Sequence, residues 1–424
     1  MLYDVILFDL DGTLTESAPG IMRAARFAVE EMGYADFDPY VFTKFIGPPL
    51  HGSFRTHFGM DEAQADQAIH LYRTYYSERG LFENAVYRGI PNLLRRLRAG
   101  GARLFVATAK PEVYSRRILD RFGLSRFFEG IAGVTLEERS TGKSAIIRSA
   151  LPADAGRAVM IGDRKYDIEG GRANDIDTVG VCYGYGSREE LTGAGASYIV
   201  DTVTELSDLL AGDIAPPSGF FVTVEGLDGS GKTTQIDRLA SHLNQIGYQT
   251  MCTREPGGNP IAEKIRELVL SPDNLGMHPW TEALLYAAAR AEHVRAVVRP
   301  ALDEGQIVLC DRYVDSSAAY QGAGRGLGLE KILEVNGLAT GNLQPNLTLY
   351  LRLDVAEALA RRESASPLDR IEMERVVFHE LVYDAYERMA ACDPKRIRII
   401  DASLPVEEIE AIFCTEMDTA LAKR

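Results

Sequence analysis

The sequence predicts an α/β protein of two doubly wound, parallel-sheet domains. Three observations carry that expectation. Short apolar runs of strand length alternate with longer segments of helical period, first over 1–211 and again from 220 to 424. Between them, Gly212-Asp-Ile-Ala-Pro-Pro-Ser-Gly219 is a stiff linker spanning at most about 28 Å. In both halves the apolar runs end in acidic, glycine-rich or hydroxyl-bearing loops, where open α/β sheets bind their ligands.

In chain order, Val5-Ile-Leu-Phe8 reads as a buried strand delivering Asp9-Leu-Asp-Gly-Thr-Leu14 at its carboxyl end. Residues two apart on an extended backbone point the same way, so Asp9 and Asp11 face one site while Leu10 packs behind. Residues 17–82 read as a helical block, broken by a loop over Phe45-Ile-Gly-Pro-Pro-Leu50. From Gly89 the alternation is regular. A helix over 91–98 precedes a strand over 102–107 that ends in Thr108-Ala-Lys110. A strand over 130–134 follows, then a helix starting near Lys143. The strand over 158–161 ends in Gly162-Asp-Arg-Lys-Tyr-Asp167, and 178–181 is a further strand.

The second half restarts with a strand over 220–224. Next come Gly226-Leu-Asp-Gly-Ser-Gly-Lys-Thr233 and Thr234, with a helix from Lys232. This is the P-loop pattern. Its glycines let backbone N–H groups converge on phosphate oxygens at a helix N-terminus, Lys232 reaches the terminal phosphates, and the Thr233 hydroxyl suits a Mg²⁺ shell. The ATP-binding set is Gly226, Asp228, Gly229, Ser230, Gly231, Lys232, Thr233 and Thr234. Downstream, Thr253-Arg-Glu-Pro-Gly-Gly258 follows a strand and Leu284–Arg290 lies in a helix. The strand over 307–310 ends in Asp311-Arg-Tyr313, with Ser316–Gly322 just beyond. A strand over 346–353 is followed by a charged helix and Asp369-Arg-Ile-Glu372.

Composition narrows the classes. A net charge of −15 argues against binding nucleic acid through its phosphates, though not against free nucleotides held in a pocket. Five separated cysteines without a C-x-x-C pair fit a reducing, cytoplasmic setting. The N-terminal apolar run is cut by Asp4, Asp9 and Asp11, unlike a signal peptide, and no apolar run has membrane-spanning length. No nucleic-acid or membrane partner is expected.

In the first half, Asp9/Asp11, Thr108, Lys143 and Asp163/Asp167 would meet beyond the sheet as a phosphoryl-transfer site. Asp9 is the candidate nucleophile and Asp11 the candidate acid/base. Thr108 and Lys143 would hold phosphate oxygens, and Asp9, Asp11, Asp163 and Asp167 form the candidate Mg²⁺ set. These four motifs, in this order, resemble those of the haloacid dehalogenase superfamily. The resemblance implies a Rossmannoid core with a helical cap over about 17–82 and hydrolysis of a phosphate monoester through an aspartyl-phosphate. Phe45–Leu50 and Gly184-Tyr-Gly-Ser187 further resemble its phosphoglycolate phosphatase and 5′-nucleotidase branch, although Ala109 stands where that branch often has Ser or Asn. Two substrates remain open: a nucleoside 5′-monophosphate, favoured by the attached half, and 2-phosphoglycolate.

The second half resembles thymidylate kinase, since R-E-P-G-G, D-R-Y and A-Y-Q-G are not general P-loop features. The resemblance implies transfer of a phosphoryl group from ATP to dTMP with Mg²⁺, and a homodimer formed through this half. It assigns Asp311 with Thr233 to the Mg²⁺ shell, Arg254 and Arg312 to the acceptor phosphate, and Asp228 to the 3′-hydroxyl. Tyr286, where the family more often has Phe, would stack on thymine. Arg290, Ser317 and Gln321 would read the base, and Tyr320 would crowd a 2′-hydroxyl. The family takes a catalytic arginine from the P-loop or the lid. Here the P-loop position is Gly229 and the lid centre is Glu363-Ser-Ala-Ser366, which leaves Arg361 or Arg362, with Arg370 expected beside Asp369. The rival expectation is that one half has lost chemistry and only senses nucleotide.

Overall fold

The computed structural model describes residues 2–48, 50–136, 141–215, 217–363 and 369–423. Pro49 of the 45–50 loop, Pro216 of the linker and 364–368 of the lid lie outside them. The chain falls into two compact units, one holding Met1–Pro217 and Gln245–Tyr248, the other Ser218–Asn244 and Gln249–Arg424.

The first unit is built on a parallel sheet. Its strands, in chain order, are β1 (Val5–Phe8), β4 (Arg103–Pro111), β5 (Gly130–Val134), β6 (Ala158–Gly162), β7 (Asp177–Val181) and β8 (Tyr198–Val200). They lie in the order β5-β4-β1-β6-β7-β8, and β2 (Thr15–Glu16) and β3 (Ala85–Val86) make a separate antiparallel pair. All four β1 side chains are fully buried, each worth about 1.5–3 kcal/mol relative to exposure. Burial on both faces explains why the strand reads as continuously apolar rather than alternating.

One expectation is corrected here. The strand expected over 102–107 runs on to Pro111, and its register against β5 shifts between Ala107 and Pro111. Thr108 and Lys110 are therefore strand residues at an irregularity, a device that re-aims side chains. A Cβ on Gly133 would lie 2.5 Å from the Lys110 carbonyl, so a side chain there would obstruct the irregularity. Strand β8, the β2–β3 pair and, in the second unit, a strand over Ile397–Asp401 lie outside the sequence expectation.

The block between β2 and β3 is helical, as expected: Ala18–Glu31, Pro39–Phe45, Leu50–Phe58, Glu62–Tyr75 and a π-helical turn, Tyr76–Gly80. Asp61 and Gln64 cap the fourth of these reciprocally. Its core is aromatic, with Phe45 and Phe54 in edge contact at 4.8 Å and Phe42 stacked near Phe58.

The second unit is a parallel sheet of β9 (Phe220–Gly226), β10 (Thr250–Arg254), β11 (Ile307–Asp311), β12 (Leu347–Arg352) and β13 (Ile397–Asp401). Their order is β10-β11-β9-β12-β13. Helices start where local chemistry says they should. Asn259 accepts from the Ile261 and Ala262 N–H groups ahead of Pro260–Leu270, and His278 accepts from Trp280 ahead of Pro279–His293. The central strand of each sheet, β1 and β9, thus ends at the loop that carries its candidate chemistry. Among the described residues no helix is long and apolar enough to cross a membrane.

Candidate functional sites

In the first unit, β1 is flanked by β4 and β6, which brings Asp9, Thr108 and Asp163 to one end of the sheet. Carboxylate oxygens of Asp9, Asp163 and Asp167 lie within 4.8 Å of one another, and all three residues are buried. Burial, then the neighbouring Asp167 and Asp9, pushes the Asp163 carboxyl well up. Burial likewise raises Asp167, to about 6, although Lys143 opposes it. Crowded anions of this kind fit a divalent cation. Lys143 Nζ lies 2.8 Å from Asp9 Oδ1 and 2.6 Å from Asp167 Oδ1. Burial disfavours its charge, but Asp167 and Asp9 outweigh that and hold it protonated.

Gly12 has φ +81°, and a Cβ there would sit 2.3 Å from Asp163 Oδ2. The Gly184–Ser187 loop closes over the same carboxylate: the Tyr185 N–H donates to Asp163 Oδ2 at 2.7 Å, and a Cβ on Gly184 would lie 2.2 Å from the Gly12 carbonyl. Only glycine admits so close an approach. Thr108 is 1% exposed, and its hydroxyl accepts from the Lys110 N–H at 3.2 Å.

Among the described residues the Asp11 carboxylate is not grouped with the three clustered carboxylates; its Oδ2 accepts from Lys110 Nζ at 2.6 Å. Lys110 went unassigned in the sequence. The signal was its spacing of two from Thr108, hidden by ending the strand too early.

In the second unit, the P-loop lies between β9 and the helix Lys232–Gln245, with Gly226, Gly229 and Gly231 all at positive φ. Lys232 Nζ donates to the Gly226 and Leu227 carbonyls at 3.3 and 3.0 Å. Burial and Arg312 lower its pKa. Ser230 Oγ is buried without a hydrogen-bond partner among the described residues, and Thr234 is exposed. The Thr233 hydroxyl donates to Asp311 Oδ2 at 3.0 Å, while Asp311 Oδ1 is buried without a hydrogen-bond partner among the described residues. That orphaned oxygen beside a hydroxyl fits a cation.

A cavity of about 190 Å³ adjoins the P-loop, walled by Asp228, Tyr286, Arg290, Arg312, Ser317, Tyr320, Gln321 and Arg362 among others. Arg312 holds φ +71°, a conformation rare outside glycine, which is strain of the kind stored at working sites. Its Nη2 donates to Asp228 Oδ1 at 2.6 Å and its Nη1 to Ser316 at 3.1 Å. Burial alone would raise Asp228, but Arg312 and Lys232 hold it well below the usual carboxylate range. Arg290 is almost wholly buried, bonded to Glu255 at 2.5 Å, Ser317 at 2.9 Å, the Tyr313 carbonyl and Asn336. Gln321 donates to Glu282 at 3.0 Å. Tyr320 Oη reaches Asp228 Oδ2 at 3.5 Å.

Four lid and rim residues differ from expectation or sharpen it. Arg254 is exposed, turned to Glu263 at 3.3 Å, and does not line this cavity. Arg370 is not held beside Asp369; it is buried on Glu282 at 2.7 Å and the Val269 carbonyl. Arg362 faces the cavity, bonded to Glu372, whereas Arg361 bonds Glu357 and the Ala402 carbonyl. A Cβ on Gly229 would lie 2.5 Å from the Ala358 carbonyl, so the P-loop packs directly on the helix Val355–Glu363. Glu255, Pro256, Arg266 and Glu372 also line the cavity. Glu255 and Pro256 lay within a recognised motif, while Arg266 carried no sequence signal.

Parallel sheets with phosphate-handling groups at their carboxyl ends place the chain among α/β phosphoryl-transfer enzymes. Residues 224–412 match the thymidylate kinase family model and residues 6–181 the haloacid dehalogenase-like hydrolase model. The thymidylate kinases of Lactobacillus delbrueckii subsp. bulgaricus and Symbiobacterium thermophilum are 46% and 47% identical to this chain. The matches cover 46% and 48% of this chain and 92% and 95% of those proteins. A solved structure described as a predicted phosphatase from Clostridium acetobutylicum is 42% identical, covering 50% of this chain and 99% of its own, with a TM-score of 0.46. The chain belongs to the thymidylate kinase family through its C-terminal half and to the haloacid dehalogenase-like hydrolases through its N-terminal half.

Proposed function

We propose that this chain is a two-site enzyme: residues 1–211 hydrolyse a nucleoside 5′-monophosphate, and residues 220–424 transfer a phosphoryl group from ATP to dTMP, with 212–219 as the linker. The observation that carries the kinase reading is the cavity shared by Asp228, Arg312, Tyr286 and Arg290 beside a complete P-loop. In it Arg312 faces the acceptor phosphate and Asp228 the 3′-hydroxyl. Tyr286 stacks on the base, Arg290, Ser317 and Gln321 read its edge, and Tyr320 leaves no room for a 2′-hydroxyl. Lys232 and the P-loop amides hold the donor phosphates. Thr233 and Asp311 would hold a Mg²⁺ that neutralises charge on those phosphates.

In the hydrolase site, Asp9 attacks phosphorus. The bond from phosphorus to the leaving oxygen breaks, the bond to Asp9 forms, and the proton on Asp11 passes to the leaving oxygen. Water then attacks the aspartyl-phosphate, gives its proton to Asp11, and frees Asp9. Thr108 and Lys143 neutralise phosphate oxygens. Asp9, Asp163 and Asp167 would hold Mg²⁺, which supplies charge stabilisation at the phosphoryl group. Attachment to a nucleotide kinase favours the nucleotide over 2-phosphoglycolate as substrate.

The test is a panel on the full chain: dTDP formation from ATP and dTMP, and phosphate release from deoxynucleoside monophosphates and 2-phosphoglycolate. The nucleotide reading predicts the highest kcat/KM on a nucleotide. A preference for 2-phosphoglycolate of about a hundredfold over every nucleotide, some 3 kcal/mol of transition-state binding, would overturn it.

A further inference from the structure

Lys110 is a buried cation that neither catalytic step above employs. Its side chain is 6% exposed, and its ammonium bridges two groups, donating to Asp11 Oδ2 and to Tyr76 Oη, each at 2.6 Å. It also lies 4.9 Å from the Tyr76 ring centroid. Burying a lysine is costly without partners that satisfy its charge, so this placement demands both. Asp11 Oδ2 is thereby pinned, while Asp11 Oδ1 is buried with no hydrogen-bond partner among the described residues.

Tyr76 is itself fixed. It opens the π-helical turn Tyr76–Gly80, stacks on Tyr72 at 5.3 Å and meets Tyr114 edge-on at 5.8 Å. A Cβ on Gly20 would lie 2.0 Å from the Gly80 carbonyl, so the helix Ala18–Glu31 and this turn touch backbone to backbone. π-Helical turns of this kind are commonly found at functional sites. On the other side, the irregularity in β4 aims Lys110 into the site, and the Lys110 N–H donates to Thr108 Oγ1 at 3.2 Å.

We propose that Lys110, seated on Tyr76 of the helical block, is the positioning residue for Asp11. Resting on the acid/base role given to Asp11 above, it holds Oδ2 so that Oδ1 faces the leaving oxygen. The helical block, through Tyr76, thereby sets the geometry of proton transfer as well as covering the site. Each working carboxylate then has its own lysine, Lys143 for Asp9 and Lys110 for Asp11.

The test uses leaving groups of different basicity. p-Nitrophenolate departs as a stable anion and needs no proton, whereas an alkoxide must be protonated as the bond breaks. Single-turnover release, with enzyme in excess, is measured on the full chain for p-nitrophenyl phosphate and for whichever of dTMP and 2-phosphoglycolate the wild type cleaves faster. A misplaced proton donor costs about 10²-fold. Lys110→Met should therefore slow the alkyl ester by about 10²-fold and the aryl ester by no more than about threefold. Tyr76→Phe, which keeps the ring and removes only the hydroxyl, should show the same selectivity with a smaller loss, and decides the matter if Lys110→Met does not fold. Equal losses on both esters, or no loss on either, would overturn the proposal while leaving the hydrolase reading standing. A wild type that cleaves neither ester would overturn both.

Discussion

Removing the Arg362 side chain should cripple phosphoryl transfer to dTMP without weakening dTMP binding. The loose transition state of this reaction spreads charge over the transferring oxygens, and an arginine contact there is worth about 10³–10⁵ in kcat. Gly229 cannot supply one, and Arg370 is locked on Glu282. Arg362 lines both the cavity beside the P-loop and a second one whose lining includes Leu227 and Asp228. It is held there by Glu372, with its Nε and Nη2 donating at 2.5 and 2.7 Å and the two side chains 18% and 9% exposed. To reach a phosphoryl group it must loosen that pair, at a cost of about 1–2 kcal/mol for a partly solvated charged interaction. Setting this against the low end of the arginine effect, about 4 kcal/mol, leaves about 2–3 kcal/mol, or roughly a hundredfold in kcat. Arg362→Ala should show that loss in steady-state ADP release at saturating ATP, with KM for dTMP within about threefold. Arg361→Ala should stay within about threefold in both, since its guanidinium bonds Glu357 and the Ala402 carbonyl. Wild-type kcat in Arg362→Ala, or the loss falling on Arg361→Ala instead, would refute the reasoning.

Other outcomes follow from the same geometry. Glu282 is fully buried and holds Arg370, Arg325 and Gln321; Glu282→Ala strands buried cations and should cost about 3–5 kcal/mol, read by urea unfolding. Gly12→Ala drives a Cβ into Asp163 at positive φ and should cut phosphate-ester hydrolysis by at least about tenfold, with dTDP formation unchanged. The His242 pKa is raised to about 10 by its bond to Asp418, with help from Cys414. Stability from this pair is present below the ordinary histidine pKa and is lost as pH rises through about 10. Solvent around the half-exposed Asp418 limits it to about 1 kcal/mol, so Asp418→Asn should destabilise the chain at pH 6 and leave it unchanged above pH 10.

What the sequence conveyed was the chemistry at strand ends. Asp9 and Asp163 in one unit, and the P-loop and Arg312 in the other, come to one side because a parallel sheet brings its strand ends there, while Tyr286 and Arg290 reach the second site from the helix Pro279–His293. What it concealed were pairings over long separations. Nothing near Arg370 announces Glu282, 88 positions away, and the adjacent Asp369 invited the wrong partner. Lys110 was hidden by the irregularity in β4, which a residue pattern assuming regular pleats cannot show. The same limit left the Asp11–Lys110 pair unseen, since alternation alone says that Asp11 faces the site but not which cation its carboxylate meets. Strand β8 and the β2–β3 pair are too short to give a period.

The central claim is that one chain carries two separable phosphoryl-transfer sites. It is tested most directly by measuring phosphate-ester hydrolysis and dTDP formation side by side in Asp9→Asn and Lys232→Ala, with folding checked by circular dichroism. The account predicts that Asp9→Asn abolishes hydrolysis and keeps dTDP formation at the wild-type rate, and that Lys232→Ala does the reverse. Loss of both activities in either folded variant would contradict it.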